Sequence, residues 1–161
     1  MKYNYVKELM TKKVISCETS ATIKDAINLM KEYNIGFIPI TKSNIIIGVV
    51  TDRDILIRSV GIYKSNTKIE KIMTNGEIHY VSPDTSLIEA GEKMATNKIR
   101  RLVVINDGKI VGILTSKDLL LEPSLLPYIV KTYLPKNHIS EYSLYTNSNP
   151  HDSVKASDFP L

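Results

Sequence analysis

The chain carries its own pattern twice. Val6-Lys7-Glu8-Leu9-Met10-Thr11 returns 63 positions later as Ile69-Glu70-Lys71-Ile72-Met73-Thr74. Gly48-Val49-Val50-Thr51-Asp52-Arg53-Asp54 returns 64 positions later as Gly112-Ile113-Leu114-Thr115-Ser116-Lys117-Asp118. Between these anchors Asp25 matches Glu89, Ala26 matches Ala90, Met30 matches Met94 and Ile35 matches Ile99. Duplication at this period implies two copies of one supersecondary unit that bury a face against each other, and therefore two related clefts. A half of about 60 residues is marginal alone, so the two are expected to fold as one unit.

Each copy has the same internal order. A short lead-in helix carries Val6, Leu9 and Met10, and its counterpart carries Ile69, Ile72 and Met73. Short strands follow at Val14 to Cys17 and at Ile78 to Val81. Thr22 with Asp25, and Ser86 with Glu89, give the hydroxyl-then-acid spacing that caps a helix start. The helices behind them are expected to bury Ile23, Ala26, Ile27 and Met30 in the first copy, and Leu87, Ala90, Met94 and Ala95 in the second. Paired strands come next: Phe37 to Thr41 with Ile45 to Val50, and Leu102 to Ile105 with Ile110 to Leu114, the second pair joined through Asp107-Gly108. Final helices are expected over Asp52 to Val60 and Ser116 to Leu121. The pattern is β-α-β-β-α twice, an α+β class. Repeat 1 spans residues 1–61, repeat 2 spans 62–121, and 122–161 belongs to neither. That extension opens with an apolar helix from Ser124 to Leu134, stopped by Pro135. Its Leu125, Tyr128, Ile129 and Tyr133 can pack on the repeats or on another subunit. From Lys136 the composition turns polar.

Composition narrows the function classes. Of 161 residues, 43% are hydrophobic and 24% charged, as in ordinary globular proteins. A net charge of +4 is too mild and dispersed to imply nucleic acid, yet it suits an anionic small ligand. The single cysteine, Cys17, rules out an internal disulfide and fits a reducing cytoplasm, and it is expected to be a small buried strand residue. No signal-peptide pattern opens the chain, and no apolar run approaches the roughly 20 residues needed to cross a bilayer. A cytoplasmic location is expected. His79, His138 and His151 have no metal-ligand spacing, and no Ser-His-Asp or Cys-His arrangement suggests catalysis. Neither a metal, a catalytic cofactor nor an enzyme activity is expected.

The motif with chemical content is Gly-hydrophobic-hydrophobic-Thr-x-x-Asp, once per repeat. A strand ends, the Thr occupies the turn, and a helix begins whose first N–H groups are unpaired and partly positive. The Asp three residues on faces the same cleft, and a carboxylate accepting two neighbouring hydroxyls is a common way to hold a ribose diol. Alone, Thr51 would read as a cap and Asp54 as a favourable first-turn acid. Recurrence of the set at Thr115 and Asp118 favours a ligand.

Two repeats of this length, each opening on Met-Thr and closing on Gly-h-h-Thr-x-x-Asp, resemble a tandem pair of CBS domains, the Bateman module. Asn34-Ile35-Gly36-Phe37-Ile38-Pro39-Ile40 and Thr51-Asp52-Arg53-Asp54-Ile55 resemble small stand-alone members of that family. The likeness covers about residues 4 to 121. It implies pseudo-twofold packing, and adenosyl-ligand clefts that each draw on both repeats. One cleft would join Thr51, Arg53 and Asp54 to Thr74, His79, Arg100 and Arg101. The other would join Thr115, Lys117 and Asp118 to Thr11, Ile15, Gly36 and Phe37. With the arginines assigned to the first cleft, AMP, ADP or ATP is expected there, and weaker binding or a less charged adenosyl compound in the second. The resemblance further implies a ligand sensor forming a homodimer, with an unidentified regulated protein as partner. A dimeric scaffold with vestigial clefts, an S-adenosyl-compound binder and a nucleic-acid binder are the alternatives.

Overall fold

The computed structural model describes residues 1–76 and 78–134. The first half comprises α1 (Val6–Leu9), β1 (Cys17–Glu18), α2 (Ile23–Tyr33), β2 (Phe37–Lys42), β3 (Ile45–Thr51) and α3 (Asp52–Ser59). The second begins with a 3₁₀ turn at Ile69–Lys71, then β4 (Tyr80–Val81), α4 (Leu87–Asn97), β5 (Arg101–Asn106) and β6 (Lys109–Thr115). Two further 3₁₀ turns, Asp118–Leu121 and Pro123–Leu125, lead into α5 (Leu126–Tyr133). Each half builds a three-stranded sheet, β1-β2-β3 and β4-β5-β6, with the first pair parallel and the second antiparallel. The α+β reading therefore holds.

Local chemistry explains the corners. Ser43 and Asn44 in one hairpin, and Asp107 and Gly108 in the other, all take positive φ, as the two-residue turn of a twisted hairpin requires. Asn34 and Lys98, also left-handed, end α2 and α4 at equivalent places. Thr22 and Ser86 cap those helices by accepting from the N–H groups of Asp25 and Glu89.

The halves exchange their opening segments. Val6 is fully buried in the core made by Val81, Leu87, Met94, Leu102 and Leu114, all of repeat 2. Ile69 and Ile72 are buried in the core of Ile23, Ile38, Ile40 and Val50, all of repeat 1. Hydrogen bonds repeat the exchange: Val6 N–H donates to the Thr85 carbonyl at 3.0 Å, and Ile23 N–H to the Thr67 carbonyl at 2.9 Å. Thr11 pairs with Ile113 of β6, and Thr74 with Val49 of β3. Neither half has a complete core without the other, which is why the clefts draw on both.

Several expectations need correction. The first strands are only two residues long, shifted toward Glu18 and Tyr80. The second lead-in and the segment closing repeat 2 form 3₁₀ turns, not α-helices. In the latter case Glu122 precedes Pro123 and takes an extended conformation, φ −124° and ψ 94°, as pre-proline sterics favour. Ile27 is 41% exposed, whereas its counterpart Gly91 is buried. The difference comes from α5, which packs on α4 with Tyr128 against Gly91; a Cβ there would lie 3.1 Å from Tyr128 Cβ. Leu125 and Ile129 complete that contact in the repeat-2 core, so the extension helix docks on its own chain. Pro135 and the polar stretch with His138 and His151 lie outside the described residues. Cys17 is half-buried in β1, and burial, aided by Asp25 and Glu18, pushes its thiol up to about 11.

Glu122 ties the chain's start to this corner. Its Oε2 accepts the backbone N–H groups of Lys2 at 2.8 Å and Tyr3 at 3.1 Å. These bonds, Tyr3's foremost, hold its carboxyl below the ordinary 4.5. A depressed carboxyl stabilises the fold above its unfolded value and loses that contribution as pH falls through the folded one. Glu122→Gln is expected to flatten the acid limb below about pH 4.5, read as urea midpoints against pH. An acid limb identical to wild type would show that the contact contributes nothing.

Candidate functional site

Two clefts open where the exchanged segments cross the sheet ends. Cleft A has a volume of about 490 Å³ and cleft B about 390 Å³. Thr51, Arg53 and Asp54 reach cleft A from the β3–α3 junction, Thr74 and His79 from the segment before β4, and Arg100 and Arg101 from the start of β5. Thr115 and Lys117 reach cleft B from the end of β6, Thr11 and Ile15 from the segment after α1, and Gly36 and Phe37 from the start of β2. Asp118 is not on the cleft B wall.

The Thr-x-x-Asp pairs close the same hydrogen-bonded box in both repeats, and in the first that box caps α3. Thr51 donates its N–H at 2.9 Å and its hydroxyl at 2.7 Å to Asp54 Oδ2, and accepts from the Asp54 N–H at 3.1 Å. Thr115 does the same to Asp118 Oδ2, at 2.7 and 2.8 Å. Thr22 and Asp25 form this box too, away from either cleft. What distinguishes Asp54 is its place on a cleft wall with Oδ1 outside the box.

Arg58, which sequence reasoning passed over, fixes that oxygen. Its Nη2 lies 3.2 Å from Asp54 Oδ1, and its Nη1 donates to the Ile72 carbonyl and to Thr74 Oγ1, each at 3.0 Å. One guanidinium therefore holds the carboxylate of repeat 1 and the hydroxyl of repeat 2 in register across cleft A. Repeat 2 has Glu122 at the matching position, so cleft B lacks this clamp. That mismatch between otherwise parallel repeats was the available signal.

Charge is distributed differently from the expectation. Arg100 and Arg101 line both clefts, because they lie where the two halves meet. Cleft B adds Lys13 and Lys117, and among the described residues no acidic one lies on its wall. Cleft A adds Arg53 and Lys98, offset by Asp52 and Asp54. The cleft expected to be the less basic is thus, among the described residues, the one without acids. Among the described residues only Lys7–Asp84 and Arg58–Asp54 form ion pairs, so none of these cleft cations is neutralised by a carboxylate within 4.0 Å. Burial first, and Arg100 beside it, push the Arg101 guanidinium below its ordinary value. Phe37 offers its ring to Arg101 at 5.6 Å. An anion between the arginines would relieve this repulsion, and guanidinium forks match phosphate geometry.

Other wall residues were also missed. Asn34 and Lys98 follow from the repeat, being equivalent left-handed caps. Ser116 and Tyr133 do not, since Asp52 replaces the first in repeat 1 and the second lies outside both repeats. Among the described residues no group of three or more His, Cys, Asp or Glu could hold a metal ion, and no helix is long and apolar enough to cross a membrane.

Comparisons with known proteins bear on the family and the fold. The CBS domain family model matches residues 6–61 and 69–124. A CBS domain-containing protein of Bacillus subtilis, YhcV, is 35% identical over 115 residues, covering 71% of this chain and 81% of its own. Among solved structures, a putative signal-transduction protein with CBS domains from Burkholderia ambifaria superposes with a TM-score of 0.66 at 29% identity, covering 72% of this chain and 90% of that one. The CBS domain pair of protein MJ0100, solved with 5-methylthioadenosine and S-adenosyl-L-methionine, gives 0.66 at 25% identity, covering 74% and 95%. Two matched repeats, exchanged lead-in segments and paired clefts make this chain a member of the CBS-domain family, carrying two such domains in tandem.

Proposed function

We propose that the chain is a non-catalytic sensor of phosphorylated adenosine compounds, AMP, ADP or ATP, bound in both clefts. The observation that carries this reading is the unneutralised Arg100–Arg101 pair shared by the clefts. The MJ0100 structure, with two adenosine-containing ligands, supports the adenosyl half of the reading. Both volumes lie within the usual range for small-molecule sites. In cleft A the ribose hydroxyls donate to Asp54 Oδ1, whose second lone pair is open beside Arg58. Phosphates lie between the arginines, near the first turn of α3. The expectation of a less charged ligand for cleft B gives way to phosphate binding there too, through Lys13, Lys117 and the shared pair. Leu56 and Ile57 on α3 and Val60 just after it, all more than half exposed, support pairing of two copies through repeat 1. Binding regulates a partner only through unequal affinity for two states of the module.

Thermal shift with AMP, ADP, ATP and S-adenosylmethionine side by side tests the ligand class. A ligand at 100 times its Kd stabilises by about 2.7 kcal/mol, well above detection. Asp54→Asn keeps a capping carbonyl and loses the charge. It is expected to weaken AMP binding at cleft A by about tenfold or more, as for hydrogen bonds to charged groups. Unchanged affinity rejects the ribose role. Stabilisation by S-adenosylmethionine alone would move the ligand class away from nucleotides.

A further inference from the structure

The last turn of α5 is fastened to cleft-wall side chains. Tyr133 hydroxyl lies 3.0 Å from Ser116 Oγ, and the Arg100 guanidinium lies over the Tyr133 ring, 5.5 Å from its centroid. Ser116 is buried, and its N–H donates to the Arg100 carbonyl at 2.9 Å. On the cleft A side, Lys98 Nζ donates to the Lys131 carbonyl of the same turn at 2.8 Å. Tyr133, Ser116 and Arg100 all line cleft B, and the Tyr133 residue is 53% exposed.

We propose that Tyr133 is a ligand-contacting residue that sets the specificity of cleft B, supplied by a helix outside both repeats. The proposal rests on the phosphorylated-adenosine reading of the clefts. Repeat 1 has nothing equivalent: Asp52 and Gly36 occupy the positions of Ser116 and Arg100, and among the described residues no tyrosine lines cleft A. Among the described residues the Arg100 guanidinium meets an aromatic face and no side-chain hydrogen-bond partner, so its N–H fork remains available to a phosphate while the ring holds it in place. The phenol hydroxyl, shared with Ser116, is both donor and acceptor and can take a further bond from the ligand. A ligand seated against ring and guanidinium also holds the last turn of α5 on α4. By linkage, the docked helix tightens the ligand to the same degree. Occupancy of cleft B is thereby transmitted to the extension, the part of the chain that other members of the family need not share.

Calorimetric titration of the full chain with AMP and with ATP tests this on wild type, Tyr133→Ala and Tyr133→Trp, with circular dichroism as the folding control. Wild type is expected to show two classes of site. Tyr133→Ala should weaken one of them about tenfold, the loss of one aromatic contact and its hydrogen bond, and leave the other unchanged. Because the chain has no tryptophan, Tyr133→Trp adds a single indole, excited apart from the tyrosines, whose emission should shift saturably with ATP. Binding in wild type that Tyr133→Ala leaves unaltered overturns this inference and spares the reading of the clefts. Absence of binding of either probe to wild type overturns both.

Discussion

Replacing Arg100 and Arg101 together with alanine is expected to weaken nucleotide binding at both clefts by about a hundredfold or more, while the unliganded protein stays folded. Each charge-assisted bond to phosphate is worth about 1.5–3 kcal/mol, and two are removed from each site. A linear reading of the repeats predicts loss at one cleft only, because the arginines have Gly36 and Phe37 as counterparts. The structure makes them common to both walls. Stability without ligand should respond little. Arg101 is half-buried beside the exposed, like-charged Arg100, and among the described residues neither forms an ion pair, so their removal relieves repulsion at the expense of cation–π contacts worth about 0.5–1 kcal/mol each. The melting temperature without ligand is expected to move by no more than about 4 °C. Loss of affinity at a single cleft would refute the shared arrangement. A collapse in stability without ligand would mean that the arginines are structural.

The second large effect is on folding. Gly48→Val and Gly112→Val are each expected to cost about 3 kcal/mol, the upper end of ordinary overpacking. A Cβ on Gly48 would lie 2.8 Å from Met73 Sδ and 3.0 Å from the Thr74 carbonyl oxygen. On Gly112 it would lie 2.6 Å from Met10 Sδ and 3.2 Å from the Thr11 carbonyl oxygen. A methionine can swing aside, but these carbonyls are fixed by the bridges Val49–Thr74 and Thr11–Ile113 that carry the exchange. The glycine of the repeated motif thus serves the close approach of the other repeat's Met-Thr. Urea unfolding measures the cost, and similar losses at both positions would follow from their equivalence. A midpoint unchanged in either variant would show that the bridges yield easily.

What could be read from the residues was mostly local. Asp107-Gly108 announced a hairpin, Thr22 and Ser86 announced caps, and the double Gly-h-h-Thr-x-x-Asp announced a strand-to-helix junction in each half. Non-local geometry was hidden. Similarity marks Val6 as the start of repeat 1, yet its methyls fill the core of repeat 2. Nothing in the order of residues says that Arg100 and Arg101 lie at the meeting line of two halves, so cleft B was expected to be poor in charge. The capping role of Thr51 and Asp54, and the ligand role, use the same residues. Only position on a cleft wall separates Asp54 from Asp25, which makes the same box elsewhere. Some missed features had a visible cue. Pro123 forbids continuation of the helix after Leu121, and Gly91 opposite Ile27 marks the face that α5 covers. Tyr133 had none, because a residue outside the repeats has no partner to be compared with.

The most direct measurement is a crystal structure of the full chain grown with saturating AMP. The account predicts a nucleotide in cleft A with its ribose hydroxyls on Asp54 Oδ1, and its phosphate within hydrogen-bonding distance of Arg100 or Arg101. A phosphate bound away from those guanidinium groups, or both clefts without ligand at saturation, would contradict it.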